Sequence, residues 1–308
     1  MPSQVAERWL SERTFRHDRF PAERLARERD ASVSVCLPAR ECAETIGPIV
    51  RAMQGLRREG VVDQIVVVDA ASADGTAVLA LQAGAEVHQE SELLPEFGPA
   101  RGKGDAMWRA LSVLHGDVVA YVDADSEGFA PHFVCGLLGP LLCAEPGGER
   151  VQFVKGCYRR PFTAGGISLP DGGGRVNHLA ARPALALFYP ELAGVRQPLA
   201  GEVAAHRSLL ERVPFTTGYG VETAMLIDVW REVGLEGMAQ VDLGVRHNRH
   251  QTLHALSPMA YAVLLVIAER LERDGRLSGL DAAPLLTADG DQTPVELEER
   301  PPMASVPA

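Results

Sequence analysis

Three short apolar runs, each ending in a polar cluster and separated by helix-length stretches, constrain this chain most. Residues 32–37 (SVSVCL) lead to Pro38-Ala39-Arg40-Glu41, 64–69 (QIVVVD) to Asp69-Ala70-Ala71-Ser72, and 118–122 (VVAYV) to Asp123-Ala124-Asp125. Helical patterns over 43–58, 75–82 and 103–115 fill the intervals, and a short strand is expected at 85–88. Strands alternating with helices fold as a parallel sheet with right-handed crossovers. Such sheets bind ligands at the carboxyl ends of their strands, so three polar clusters on one edge predict a nucleotide site. The fingerprint G-x-G-x-x-G is missing from the first strand–helix turn, which argues against NAD.

The third cluster carries the sharpest chemistry. On an extended strand, side chains at i and i+2 share a side. Asp123 and Asp125 are therefore expected to leave the edge together, spaced to grip a divalent cation and the phosphates it neutralises. The same spacing also caps helices and fills turns, so a second reading stands beside the first.

Composition narrows the class. With 30 basic and 41 acidic residues the formal charge is −11, which argues against a nucleic-acid surface but not against a local phosphate pocket. Cys36, Cys42, Cys135, Cys143 and Cys157 show no C-x-x-C spacing and fit a reducing cytoplasm. The start has no apolar signal segment, and later apolar runs are read as too short or too interrupted to span a bilayer. No membrane and no nucleic-acid partner is expected.

Four segments are expected: an N-terminal helical arm over 1–30, a nucleotide-binding half over 31–145, a second half of different character over 146–275, and a loose Pro/Asp-rich tail over 276–308. The arm would lie on the body or on a partner subunit. The second half reads as a strand at 151–155, a helical pattern at 175–187, a strand at 201–205, a helix at 220–233, a strand at 238–245 and a long amphipathic helix at 253–274. Gly172-Gly173-Gly174 before a helix exposes amides suited to an anion, or is an ordinary flexible loop; Arg175 directly after favours the anion.

Lys103, between Gly102 and Gly104, is no Walker A lysine, since that pattern is absent. It is either a solvated lysine or a pyrophosphate contact. The basic cluster Arg246-His247-Asn248-Arg249-His250 follows an apolar strand; it is a solvated strand end, or a source of a metal-binding histidine and phosphate-binding arginines. Glu222 is a first-turn acid favoured by the helix dipole, or a ligand for sugar hydroxyls. His17, His115, His132 and His254 have no converging partners and receive no role. Trp108, Trp230 and Phe133 read as packing residues.

Taken jointly, SVSVCLPAREC, QIVVVDAASADGT, RGKGDAMWRAL, GDVVAYVDADSEG, GGGRVNHLAARPAL, QPLAGE and FTTGYGVE resemble the retaining mannosyl-3-phosphoglycerate and glucosyl-3-phosphoglycerate synthases, from about residue 32 to 265. The resemblance implies an α/β fold of GT-A type: a Rossmann-like, mostly parallel sheet flanked by helices, with a mixed acceptor-binding C-terminal half. It implies transfer of mannose or glucose from a nucleoside-diphosphate sugar to the 2-hydroxyl of 3-phosphoglycerate, with Mg²⁺ or Mn²⁺ and a likeness to dimeric relatives. The donor nucleotide would touch Pro38, Ala39, Lys103, Asp123 and Tyr219, with Arg40, Cys42, Ser72 and Ala124 in the same strand-end clusters. Asp125 would hold the metal with His247 or His250. The acceptor would lie against Gly173, Gly174, Arg175 and Asn177, helped by Arg246, Asn248 and Arg249. Glu222 would hold sugar hydroxyls, and Leu199 would sit beside the reacting carbon. Asp123, Leu199 and Glu222 make up the expected catalytic set.

Two departures stand out. Relatives commonly read P-A-x-N-E-E where this chain has Pro38-Ala39-Arg40-Glu41-Cys42-Ala43, which opens base preference and tilts the expectation toward GDP-mannose with relaxed use of glucose donors. The basic cluster also breaks the usual R-x-H-R order, leaving His247 and His250 as alternatives. Strict use of UDP-glucose, a lipid or polysaccharide acceptor, and sugar-nucleotide binding without turnover are the rival readings.

Overall fold

The computed structural model describes residues 2–143, 151–164, 167–169, 172–247, 251–286, 292–293, 295 and 297–307. Its strands are β1 (Thr14–Arg16), β2 (Val33–Ala39), β3 (Gln64–Asp69), β4 (Glu86–Gln89), β5 (Val118–Tyr121), β6 (Phe153–Arg159), β7 (Phe162–Ala164), β8 (Ile167–Leu169), β9 (Val203–His206), β10 (Phe215–Thr216), β11 (Met238–Val245), β12 (Leu285–Leu286), β13 (Gln292–Thr293) and β14 (Glu299–Arg300). The α-helices are α1 (Pro2–Glu12), α2 (Ala22–Glu28), α3 (Ala43–Arg58), α4 (Thr76–Gln82), α5 (Lys103–Ala110), α6 (His132–Leu142), α7 (Arg182–Phe188), α8 (Arg207–Leu210), α9 (Val221–Val233) and α10 (Leu253–Arg273).

Eight strands form one sheet in the order β1-β11-β6-β9-β5-β2-β3-β4. All neighbours are parallel except β9, which runs antiparallel to both β5 and β6. β2 and β3 are apolar and almost wholly buried, as strands covered on both faces must be. Period-two alternation sends Val33, Val35 and Leu37 into one core and Cys36 into the other. α3 covers the first face with Ile46, Ile49, Val50, Met53 and Leu56, spaced at helical period. α5, α7, α9 and α10 contribute to the core on the second face.

The N-terminal segment lies on the body. Phe15 on β1 joins the sheet edge against Val241 of β11, while Trp9 is buried and its indole N–H donates to the carbonyls of Leu235 and Met238.

The expectation of a loose tail is corrected for the described part of 276–308. β14 pairs antiparallel with β10, and Arg300 forks onto both oxygens of Asp105 at 2.8 Å. Trp108 donates to the Pro301 carbonyl, and the amide of Thr217 donates to the Glu298 carbonyl. Sequence reasoning missed this strap because its contacts are distant in the chain and leave no local periodicity. The expectation that every apolar run falls short of a span also needs correction: α10, with 21 residues, is long and apolar enough by length and composition. Arg270 on that helix is nevertheless buried against Asp228 and Thr216.

Candidate active site

The segments 39–42 and 69–76, where the donor nucleotide is expected, meet one another. The amide of Glu41 donates to Ser72 Oγ (2.9 Å), that of Cys42 to Thr76 Oγ1 (2.8 Å) and that of Ala43 to Asp74 Oδ2 (2.9 Å). Glu41 Oε1 in return accepts from the Ala73 amide. Glu41 and Ala71 both sit at φ +53°, a left-handed backbone that non-glycine residues adopt rarely and mostly under functional constraint. Pro38 is half-buried, Ala39 buried and Arg40 exposed. Cys42 is a buried thiol pushed up to about 11, chiefly by burial, and so is not an ionised group here. Asp69 is buried with one oxygen bonded to the Ser72 amide and Gln89 and the other without a partner.

The expectation that Asp123 and Asp125 project from one strand needs correction. β5 stops at Tyr121, and Asp125 lies on a turn. What brings the two carboxylates together is Arg246, whose guanidinium reaches Asp123 Oδ2 at 2.9 Å and Asp125 Oδ1 at 3.1 Å. The same guanidinium binds the Tyr158 hydroxyl at 2.8 Å and Glu202 Oε1. Lys103 Nζ lies 2.5 Å from Asp123 Oδ1 and 2.8 Å from Glu222 Oε1. Both oxygens of Asp123 are thus taken by cations. Burial alone would raise its pKa, but Lys103 and Arg246 overcome that and hold it well below the carboxylate range. Burial would lower Lys103, yet Asp123 and Glu222 keep its ammonium charged.

Sequence reasoning missed several members of this web. Gly201 is required because a Cβ there would stand 2.1 Å from Asp123 Oδ1 and 2.3 Å from Lys103 Nζ. Gly104 is more tightly constrained, its Cβ falling 1.9 Å from the backbone carbonyl oxygen of Thr216. Glu202 is fully buried; burial raises its pKa against the pull of Arg246, and its Oε2 has no partner. Lys155 is buried under the same turn, donates to the Ala200 carbonyl at 2.6 Å, and is lowered to about 8 by burial. The signal was present in part: Gly201-Glu202 belongs to QPLAGE, whereas a lysine inside a strand gives no cue to what it faces.

Tyr219 is exposed, Leu199 half-buried, and the buried Ala124 accepts from Thr45 Oγ1 at 2.6 Å. Where the acceptor is expected, Gly174 sits at φ +70° before the helical turn carrying Asn177. Arg175 donates to the Gln251 carbonyl and lies 5.2 Å from the centroid of the Phe162 ring. Asn177 is buried, with Nδ2 on the Arg196 carbonyl at 3.3 Å and Oδ1 without a partner. Arg246, expected on the acceptor, is buried among carboxylates. Asn248, Arg249 and His250 lie outside the described residues.

For a cation, Asp125 is the available carboxylate: its side chain is 65% exposed, whereas Asp123 is enclosed. His247 is exposed and its carbonyl accepts from the Glu127 amide. Among the described residues no three His, Cys, Asp or Glu side chains form a metal-holding group. An oxygen ligand at the site suits Mg²⁺ or Mn²⁺, which take remaining oxygens from phosphates and water.

Residues 34–146 match the family model described as Glycosyl transferase family 2. The chain is 41% identical over 308 residues to glucosyl-3-phosphoglycerate synthase of Mycolicibacterium smegmatis, covering 98% of this chain and 99% of that protein. It is similar to the crystal structure of mannosyl-3-phosphoglycerate synthase from Rubrobacter xylanophilus, with 48% identity, a TM-score of 0.88 and 98% of each chain covered. It is also similar to glucosyl-3-phosphoglycerate synthase from Mycobacterium tuberculosis in complex with Mn²⁺, UDP-glucose and phosphoglyceric acid, with 40% identity, a TM-score of 0.78, and 92% of this chain and 93% of that one covered. Likeness across nearly the whole length, on a sheet whose strand ends carry the Lys103–Asp123–Arg246 web, means that the chain belongs to the mannosyl-3-phosphoglycerate and glucosyl-3-phosphoglycerate synthase family of GT-A glycosyltransferases.

Proposed function

We propose that this protein is a retaining, metal-dependent hexosyltransferase that moves mannose or glucose from a nucleoside-diphosphate sugar to the 2-hydroxyl of 3-phosphoglycerate. The observation that carries the reading is the charged web at the strand ends, in a chain 40% identical to a protein crystallised with Mn²⁺, UDP-glucose and phosphoglyceric acid. When bound, the cation neutralises the charge that develops on the departing diphosphate. Asp125 would hold it, with His247 or His250. Lys103 supplies a fixed positive charge toward the same leaving group, while Asp123 orients that ammonium. Glu222, held by Lys103, presents its carboxylate to the sugar hydroxyls. The acceptor oxygen attacks the anomeric carbon on the face the diphosphate leaves, the carbon–oxygen bond to phosphate breaks, and the proton passes to the departing phosphate oxygen. A glycosidase mechanism with paired acid and nucleophile does not suit Asp123, whose two oxygens are bound by cations.

The donor side comprises Pro38, Ala39, Arg40, Cys42, Ser72, Ala124 and Tyr219; the acceptor side comprises Gly173, Gly174, Arg175 and Asn177, helped by Asn248 and Arg249; Leu199 lies beside the reacting carbon. Mannose is ranked first, supported by 48% identity to the mannosyl enzyme. Strict UDP-glucose use is the second reading, supported by the glucosyl relatives. Product formation with Mg²⁺, 3-phosphoglycerate and each of GDP-mannose, GDP-glucose and UDP-glucose tests both; absence of product with every donor would sink the assignment. Asp125→Ala should abolish metal-dependent turnover in a folded protein.

A homodimer is part of this reading, supported by exposed Leu253 and Leu264 on α10, and light scattering at micromolar concentration checks it. The five buried free cysteines support a reducing, cytoplasmic setting without membrane or nucleic-acid partners.

A further inference from the structure

A cavity of about 390 Å³ opens at the ends of β6 and β11; the glycine loop walls it through Gly173, while Arg175 and Asn177 do not line it. Its walls include Arg159, Arg160, His178, Arg182 and Arg196, against a single carboxylate, Asp242. Arg196 approaches Asp242 only at 3.8 Å, and Arg159, Arg160 and Arg182 make no salt bridge among the described residues. Elsewhere in this acidic chain arginines are committed to carboxylates, as Arg246, Arg270 and Arg300 are. Unpaired guanidinium groups around one cavity leave an excess of positive charge there, which an entering anion offsets. The forks of Arg160 and Arg182 suit phosphate oxygens, which accept paired N–H bonds.

The wall is also built, not incidental. The Gly173 amide donates to the Arg160 carbonyl at 2.9 Å, and a Cβ at Gly173 would meet Arg160 Cβ at 2.7 Å. Glycine there lets the loop close directly onto the arginine. Tyr158, another wall, reaches through to Arg246 with its hydroxyl, so the cavity and the charged web share a side chain.

We propose that this cavity is a second anion-binding site, adjoining the acceptor pocket across Gly173, that takes the dianionic phosphate of a phosphomonoester. That it is a second site rests on the placement of the acceptor's own anion at Arg175 and Asn177. Equilibrium dialysis with labelled inorganic phosphate tests it. Wild type should bind two equivalents per chain; Arg160→Ala/Arg182→Ala and Arg175→Ala should each bind one. These arginines are exposed or half-buried, and circular dichroism, with Arg182→Gln as a milder second variant, checks that the fold persists. Acceptor KM in the double variant should stay within about twofold of wild type.

One equivalent in wild type, or two in the double variant, overturns the proposal. So does a tenfold or greater rise in acceptor KM in the double variant, which would make the cavity part of the acceptor pocket. If Arg175→Ala retains two equivalents and the double variant drops to one, the cavity stands and the acceptor placement falls. Glycerol 3-phosphate should compete for the cavity at least as well as phosphate; failure to compete overturns the phosphomonoester assignment.

Discussion

At the scale of single residues, Gly201 decides how closely the chain can approach the charged web. Replacing it with Ala puts a methyl where Asp123 Oδ1 and Lys103 Nζ now lie. Those are the far ends of flexible side chains, so they move aside while the backbone holds. Displacement of about an ångström at a reacting centre costs on the order of 100-fold. Gly201→Ala should therefore lose about that much in kcat/KM with an unchanged circular-dichroism spectrum; a fully active variant would refute the close approach. Lys155 gives a pH signature. Burial lowers it to about 8, so below that pH the native state carries a buried ammonium the unfolded chain solvates freely. Its cost shrinks as pH rises from 8 toward the ordinary lysine value. Wild type should gain about 2 kcal/mol in urea-unfolding free energy between pH 7 and 10 relative to Lys155→Met. A pH-independent difference would contradict the assignment.

At the scale of elements, what was legible depended on whether the signal was local. The helix expected at 43–58 is α3, and the strand at 64–69 is β3, because each carries an apolar period along its own length. α6 went unassigned because its apolar residues run all round: His132–Leu142 is buried throughout apart from its first residue. The strap is held instead by Arg300 on Asp105, 195 residues away in sequence, and by Glu298 on Thr217. Asp105 lies in the first turn of the helix that Lys103 opens, so the strap anchors the element that carries Lys103. Arg300→Ala leaves buried Asp105 with Arg109 and without its fork. Because Arg109 and the Arg101 amide still hold Asp105, the loss is that of hydrogen bonds to a charged group, about 1.5–3 kcal/mol. Urea unfolding should register that loss, and donor KM should rise more than acceptor KM; equal rises would assign the strap a general structural role only. The candidate site follows the same rule: D-x-D and GYGVE announced Asp123, Asp125 and Glu222, while Tyr158 and Lys155 were silent because a strand does not disclose which side chain it will face.

At the scale of the whole molecule, acid acts on the sheet's amino-terminal edge. Asp117 binds the amide and hydroxyl of Ser32, and Asp63 binds the Val33 amide and Arg29. Ser32 chiefly lowers Asp117, and Arg29 chiefly lowers Asp63. Carboxyls whose native pKa is depressed contribute stability above their unfolded value and lose it as pH falls through the native one. Unfolding free energy should therefore drop progressively below about pH 4, and an Asp63→Asn/Asp117→Asn variant should show a shallower drop. An unaltered acid profile in that variant would exclude these two carboxyls as the cause.

The reversed strand β9 carries a further implication for recombination between relatives. Running against its neighbours, it delivers Gly201 and Glu202 to the active edge as the chain enters the sheet, whereas Asp123 arrives as the chain leaves β5. A join placed near residue 145 would therefore cut through the charged web: Lys103 and Asp123 would travel with one piece, Lys155, Glu202, Glu222 and Arg246 with the other. A chimera joined there inherits its nucleotide loop intact from one parent, yet works only if both parents solved the same charge-matching problem across the join.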